Sequence, residues 1–214
     1  MAVQRLSDSL RAIALATTGF MPADEGDALY VAALDAGRRL PGTVFVEVGS
    51  YCGRSTVWVG AAARASSTVV YAVDHHGGSE ENQPGWEWHD ASLIDPATGR
   101  INTLPFFERT IAAAGLDDCV IATVGESSVI AASWDQPIGF LFIDGGHGRE
   151  VARSDWQGWS PHLAKGGMLA IHDVFVDPSE GGQAPYEEIY LPALASGYVD
   201  MSRTGSLRVL INES

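Results

Sequence analysis

Basic side chains are scarce in this chain of 214 residues: Lys and Arg number 13 against 27 Asp and Glu, a formal net charge of −14. No basic cluster exceeds the pair Arg38–Arg39. Nucleic-acid binding needs a basic stripe that displaces counterions, so both that class of partner and an anionic membrane surface are disfavoured. Cysteine is nearly missing. Cys52 and Cys119 have no CxxC partner, which leaves reduced thiols in or near the core rather than a disulfide framework. Long apolar runs are absent as well, since none approaches the ~20 residues that span a bilayer. Arg5, Asp8 and Arg11 interrupt the stretch where a signal peptide would be apolar. The expected location is the cytoplasm. There is no internal repeat and no low-complexity tail.

What the chain does contain is a series of short apolar runs, each closed by a glycine or an acid. TVFVEVG (43–49), TVVYAVD (68–74), CVIATVG (119–125), GFLFIDG (139–145) and GMLAIHD (167–173) are rich in Val, Ile and Phe without clean alternation. That pattern suits strands buried on both faces of a parallel sheet. Helical patterns lie between them, over Ser55–Ala65, Leu104–Ala114 and Arg149–Leu163. The alternation predicts an α/β, doubly wound sheet. GYVDMSRTGSLRVLIN adds a terminal antiparallel hairpin turning near Thr204–Gly205. Residues 1–40 read as a helical segment, its second helix starting at Pro22–Glu25 and ending near Arg39, ahead of a domain over 41–214.

One connection is long and aperiodic, from Asp74 to about Asn102. Structureless loops beyond ~12–15 residues in compact domains are usually lids or disordered. Trp86 and Trp88 argue against disorder. Their indole faces suit stacking on sugar rings, with simple lid packing as the alternative.

The first strand runs into FVEVGSYCGRST. Its glycines do not fit GxGxxG, and GRS stands where a P-loop needs GK[ST], so both phosphate-binding readings are weak. The pattern is E-x-G-x-x-x-G, with Asp74 closing the next strand. Asp74 alone reads equally well as a cap or a surface acid. With Glu47, Gly49 and Gly53 at neighbouring strand ends it suggests a nucleoside site, the acid accepting hydrogen bonds from a ribose diol.

These motifs resemble class I S-adenosylmethionine-dependent methyltransferases, over nearly all of the chain from Gly42 onward. The resemblance implies a Rossmann-like seven-stranded sheet and S-adenosylmethionine as cofactor. It gives Asp74 the ribose, the turn Gly49–Ser50–Tyr51–Cys52–Gly53 the methionine moiety, and Glu126 and Ser127 the flank of the adenine. Glu47, Ser55 and Asp144 complete the expected cofactor-binding set.

FLFIDGGH ends one strand in Asp144, and His172–Asp173 end the next. Parallel strands joined by one helix bring these ends to the same rim. Converging carboxylates without a cationic partner call for a metal or a proton, and a hard cation with oxygen ligands is a natural solution. The spacing resembles metal-dependent O-methyltransferases of the branch acting on sugars and macrolide sugars, with the signature D-G-x-H…H/E-D. The resemblance implies a divalent ion, Mg2+ or Mn2+, on Asp144, His172 and Asp173, with His147 as general base. The pair after strand five is commonly two acids there; His172 departs from this, which leaves its place as a direct ligand and the identity of the metal open. The bland alternative for Asp144–His147 is a turn with a capping acid. His75, His76, His89 and His162 read as solvated or capping, and Trp156 and Trp159 as core.

The expected activity is methylation of a sugar hydroxyl. DHHGGSEENQPGWEWHDASLIDP, GGQAPY and GSLRVL resemble an actinobacterial subgroup that implies the 1-hydroxyl of a short methylated mannoside. Alternatives are a catechol or natural-product phenol as acceptor, a fold relative with chemistry other than methyl transfer, and a non-catalytic nucleoside-binding protein. Expected partners are a small-molecule or oligosaccharide acceptor and, in a homodimer, a second copy of the chain.

Overall fold

Seven strands form one mixed sheet in the computed structural model, which describes residues 5–214. Two helices come first, α1 (Asp8–Ala16) and α2 (Ala23–Arg39). Then come β1 (Val44–Val48), α3 (Arg54–Ala65) and β2 (Val70–Asp74). A long connection carries the small hairpin β3 (Ile94–Asp95) and β4 (Arg100–Ile101). It leads to α4 (Leu104–Ala114), β5 (Val120–Val124) and α5 (Ser127–Ala131). β6 (Ile138–Ile143), α6 (Arg149–Trp159) and β7 (Leu163–Ile171) follow. A π-helical turn over Tyr186–Tyr190 runs into α7 (Leu191–Ala195), and β8 (Tyr198–Thr204) and β9 (Leu207–Asn212) close the chain.

The order is β5-β2-β1-β6-β7-β9-β8. The first five strands are parallel, and β9 is antiparallel to both neighbours. This is the doubly wound sheet that the alternation of elements implied, in the Rossmann-like seven-stranded form that the resemblance implied. The winding reverses between β1 and β6, and ligands of open α/β sheets sit beyond the strand ends at such a switch point. Gly49 and Asp144 are the first residues past those two ends.

Alternate residues of each central strand feed two separate cores. Phe45, Phe140 and Phe142 face Val57 and Trp58 on one side, while Val46, Leu141 and Ile143 face Trp156 and Trp159 on the other. α3 reads VWVGAAA and is apolar around its circumference because α1 and α2 cover it. Gly26 lets α2 approach: a Cβ there would fall 2.5 Å from the Trp58 ring. Leu29, Tyr30, Ala33 and Leu34 of α2 belong to the same core as the sheet, so the helices of the expected 1–40 segment share one core with the 41–214 domain. Residues 1–4 lie outside the described residues.

Several expectations need correction. β5 is an edge strand, with Ile121 and Val124 exposed, because it has a neighbour on one side only. α6 stops at Trp159, where Pro161 ends the regular helix in a 3-10 turn, and β7 begins at Leu163 rather than Gly167. The 75–102 connection is structured, with 3-10 turns over Glu80–Asn82 and Ala91–Leu93 besides its hairpin. Gln83 holds its start by donating to the carbonyls of Gly77, Gly78 and Ser79, and Leu93 and Ile101 bury themselves against Cys52. Among the described residues, no helix is long and apolar enough to cross a membrane.

Candidate active site

The turn after β1 is built for close approach. Gly49 has φ +88°, and a Cβ on it would lie 2.1 Å from the carbonyl oxygen of Asp144, so only glycine fits. Asp74, at the tip of β2, accepts from the backbone N–H of Tyr51 and of His76, each at 2.7 Å. A carboxylate has about four lone-pair sites, so Asp74 can shape the turn and still accept hydroxyls of a ligand. The Ser50 hydroxyl is buried and has no hydrogen-bond partner, a group a bound ligand would satisfy. Gly53, at φ +89°, is the N-cap of α3.

Glu47 and Ser55, expected to touch the cofactor, bond to each other instead. The Glu47 carboxylate accepts from the hydroxyls of Ser55 and Thr56, both at 2.6 Å. It is fully buried, and burial pushes its pKa up to about 8. This pair braces the turn from beneath.

On the other side of the switch point, Asp144, His147 and Asp173 bring one ligand atom each within 4.8 Å of one another. His147 Nε2 lies 2.8 Å from Asp173 Oδ2, and its Nδ1 lies 2.8 Å from Glu81 Oε2. Burial opposes charge on this ring, but Asp173 and Glu81 outweigh it and raise its pKa to about 9. Asp173 is likewise opposed by burial and held well below the usual carboxylate range by His147 and His172. Its φ is +54°, and Tyr51 and His76 are also left-handed. Such backbone costs on the order of 1–3 kcal/mol per residue and clusters at functional sites.

His172 does not stand where a direct ligand would. Its ring is buried behind the carboxylates, with Nδ1 3.0 Å from Asp144 Oδ1 and 3.3 Å from Asp173 Oδ2. Nε2 faces Glu25 Oε2 at 2.9 Å, an ion contact with poor hydrogen-bond alignment. Both nitrogens are thus engaged by acids, and a histidine held this way orients ligands more readily than it serves as one. Burial disfavours its charge, yet the surrounding carboxylates raise its pKa well above the ordinary value.

Ser127 is half-buried and accepts from Trp159 Nε1 at 2.8 Å while donating to Asp155 at 2.6 Å. Its hydroxyl is committed to the core, whereas Glu126 at the tip of β5 is exposed. Trp86 and Trp88 are half-exposed on the long connection. Trp88 meets Phe20 edge-on at 5.4 Å, and Phe20 meets Tyr51 at 5.7 Å. Arg54 fixes this corner by donating to the carbonyls of Thr17, Gly19 and Met21. His76 is buried against Phe107 with Nδ1 2.7 Å from the Thr103 hydroxyl, so it is a core histidine, not a solvated one. The connection after β7 reaches the site: Pro185, and Ile189 in the π-helical turn that follows it, line a small recess with Asp144, His147 and His172. A cleft of about 630 Å³ between α5 and α6, lined by Arg153 and Gln157 among others, shares none of the site residues.

Glu25, Glu81 and Phe20 were missed in the sequence. For Glu25 a signal existed: it shares the buried stripe of α2 with Leu29 and Ala33 at helical spacing, and an acid on a core stripe wants a polar partner. Glu81 sits in an aperiodic stretch that carries no such signal.

Solved structures share this fold at low identity. The O-methyltransferase NovP is 16% identical, with TM-score 0.66 over 90% of this chain and 81% of that one. TomG from Streptomyces achromogenes, an O-methyltransferase of tomaymycin synthesis solved with S-adenosylmethionine, is 14% identical, with TM-score 0.63 over 99% and 92%. CalS11, a TDP-rhamnose 3'-O-methyltransferase of calicheamicin biosynthesis, is 14% identical, with TM-score 0.57 over 87% and 76%. A family model described as a methyltransferase domain matches residues 46–174, from β1 through the Asp144–Asp173 cluster. The switch-point turn, the acids at the strand tips and that match agree: the chain belongs to the methyltransferase-domain family.

Proposed function

We propose that the protein is an S-adenosylmethionine-dependent O-methyltransferase that activates a sugar hydroxyl at a divalent-cation site. The observation that carries this reading is the meeting of Asp144, His147 and Asp173 directly beside the Gly49 turn. The two carboxylates, Asp144 and Asp173, suit Mg2+ or Mn2+, with the His147 imidazole beside them as the base. The glycine cradle and the unpartnered Ser50 hydroxyl suit the cofactor.

When bound, the cofactor supplies an electrophilic sulfonium methyl and the ion lowers the pKa of the acceptor hydroxyl. Asp144 and Asp173 would hold the ion, and His172 contacts both carboxylates from behind. Glu81 holds the Nδ1 proton of His147. Nε2, paired with Asp173 while that carboxylate is free, would take the hydroxyl's proton once a bound cation claimed Asp173 and so removed the partner that most raises the ring's pKa. Asp74 and the Gly49–Gly53 turn would hold the cofactor at the switch point, beside Asp144.

The sugar reading is supported by the aromatic corner of exposed Phe20 and Trp88 against half-buried Tyr51, whose faces suit the apolar face of a pyranose. CalS11, similar in fold, acts on a sugar nucleotide. The narrower form of the reading is a mannoside 1-O-methyltransferase of methylmannose polysaccharide synthesis, where the anomeric hydroxyl is the most acidic of the ring.

The test is transfer of labelled methyl from S-adenosylmethionine to a panel of mannose and glucose oligosaccharides, with and without EDTA. Transfer that EDTA abolishes and Mg2+ or Mn2+ restores is expected. Transfer indifferent to EDTA would overturn the cation assignment. No transfer to any sugar, with transfer to catechols or other phenols, would overturn the acceptor class.

A further inference from the structure

Behind the cluster, α2 and the β8–β9 turn meet at one buried carboxylate. Glu25 is 5% exposed. Its Oε1 accepts from the Ser206 backbone N–H at 2.9 Å, and its Oε2 accepts from the Ser206 hydroxyl at 3.0 Å and faces His172 Nε2 at 2.9 Å. The turn is pressed against it, since a Cβ on Gly205 would fall 2.1 Å from Glu25 Oε1. The Ser206 hydroxyl also lies 3.5 Å from Asp173 Oδ1, and the Ser206 carbonyl accepts from Val174 N–H at 3.0 Å. Arg208 adds a bond to the Val174 carbonyl at 3.0 Å. One side of the His172 ring therefore meets Glu25 in an ion contact, and the other side meets Asp144 and Asp173.

We propose that Glu25 is a positioning residue for the cation site, acting through His172 and anchored by Ser206. The inference rests on the metal-dependent reading above and deepens it. Asp144 and Asp173 leave different strand ends, and without a fixed ring between them their oxygens are free to rotate apart. Glu25 fixes that ring from α2, so a helix far from the strand tips in sequence takes part in the site. Partners of this kind typically contribute about 10–100-fold to metal affinity.

The experiment is Mn2+ affinity of the full chain, read from the paramagnetic resonance of free Mn2+, without acceptor or turnover. Glu25→Gln replaces one acceptor oxygen by a donor, so either Ser206 N–H or His172 loses its partner. It is expected to weaken Mn2+ binding about 10–100-fold, and Ser206→Ala by less, while S-adenosylhomocysteine affinity in EDTA changes by under about twofold. Wild-type Mn2+ affinity in Glu25→Gln overturns the inference and leaves the cation reading intact. Absence of Mn2+ binding by the unaltered protein overturns both. Equal loss of both ligands marks a general structural role and overturns the inference as well. If Glu25→Gln does not fold, Ser206→Ala carries the decision, and unchanged Mn2+ affinity in it counts against the inference.

Discussion

Glu81 Oε2 lies 2.8 Å from His147 Nδ1, across 66 residues of sequence. The contact joins the long connection after β2 to the tip of β6. Asn82, next along, accepts from Ser79 through its side-chain carbonyl and donates to the Trp88 carbonyl at 3.4 Å. One short turn thus orients the proposed base and carries the chain on towards the aromatic corner.

His147→Ala is expected to lower kcat by at least about 100-fold, the usual contribution of a positioned general base. Glu81→Gln should cost less, about tenfold, because it weakens one charged hydrogen bond and leaves the imidazole present. Calorimetric binding of S-adenosylhomocysteine should persist in both variants. If His147→Ala keeps its kcat, the base is another group.

Asp74→Ala removes the acceptor for two backbone N–H groups as well as the expected ribose contact. S-adenosylhomocysteine affinity should fall by about 10–100-fold, and the melting temperature should drop too, since charged hydrogen bonds contribute about 1.5–3 kcal/mol each. A stability loss with cofactor affinity intact would leave Asp74 a role in shaping the turn alone.

Glu47 gives the stability a pH dependence of definite sign. Its folded pKa of about 8 lies above the ordinary 4.5, so the native state keeps a proton that the unfolded chain releases. The stabilising contribution is full below about pH 4.5 and is lost as pH rises towards about 8, because the folded state binds more protons in that window. Glu47→Gln, which cannot ionise, should flatten the fall in melting temperature between pH 5 and about 9. An identical pH profile in both proteins would contradict the raised pKa.

Phe20→Ala and Trp88→Ala should each raise the KM for a sugar acceptor about tenfold, the loss of one aromatic face. S-adenosylhomocysteine binding and kcat at saturating acceptor should change little. An unchanged KM in both variants would move the acceptor away from this corner.

How much was legible in the sequence follows from the range of the forces involved. The parallel strands read as apolar runs because burial on two faces leaves a local mark, and β5 deceived because its run is as apolar as those inside while one side has no neighbour. The helices read by period, and α6 was overrun because Pro161 ends it in a 3-10 turn that continues the polar pattern. Asp74, Asp144, His147 and Asp173 stood out as candidates because polar groups at or within a few residues of the end of a buried strand are locally conspicuous.

The doubly wound sheet and the acids that end its strands were written into the chain locally, since alternation, glycine placement and strand-end acids are each encoded within a few residues, whereas the strand order that sets the switch point was not. What surrounds those acids emerges from packing alone. Glu25 reaches His172 across 147 residues, Glu81 reaches His147 across 66, and Phe20 reaches Trp88 across 68. Those distances are spanned by packing of α2 on the core and by the fold of the 75–102 connection. A carboxylate looks the same in sequence whether it faces water or a buried imidazole; the packed chain alone distinguishes the two.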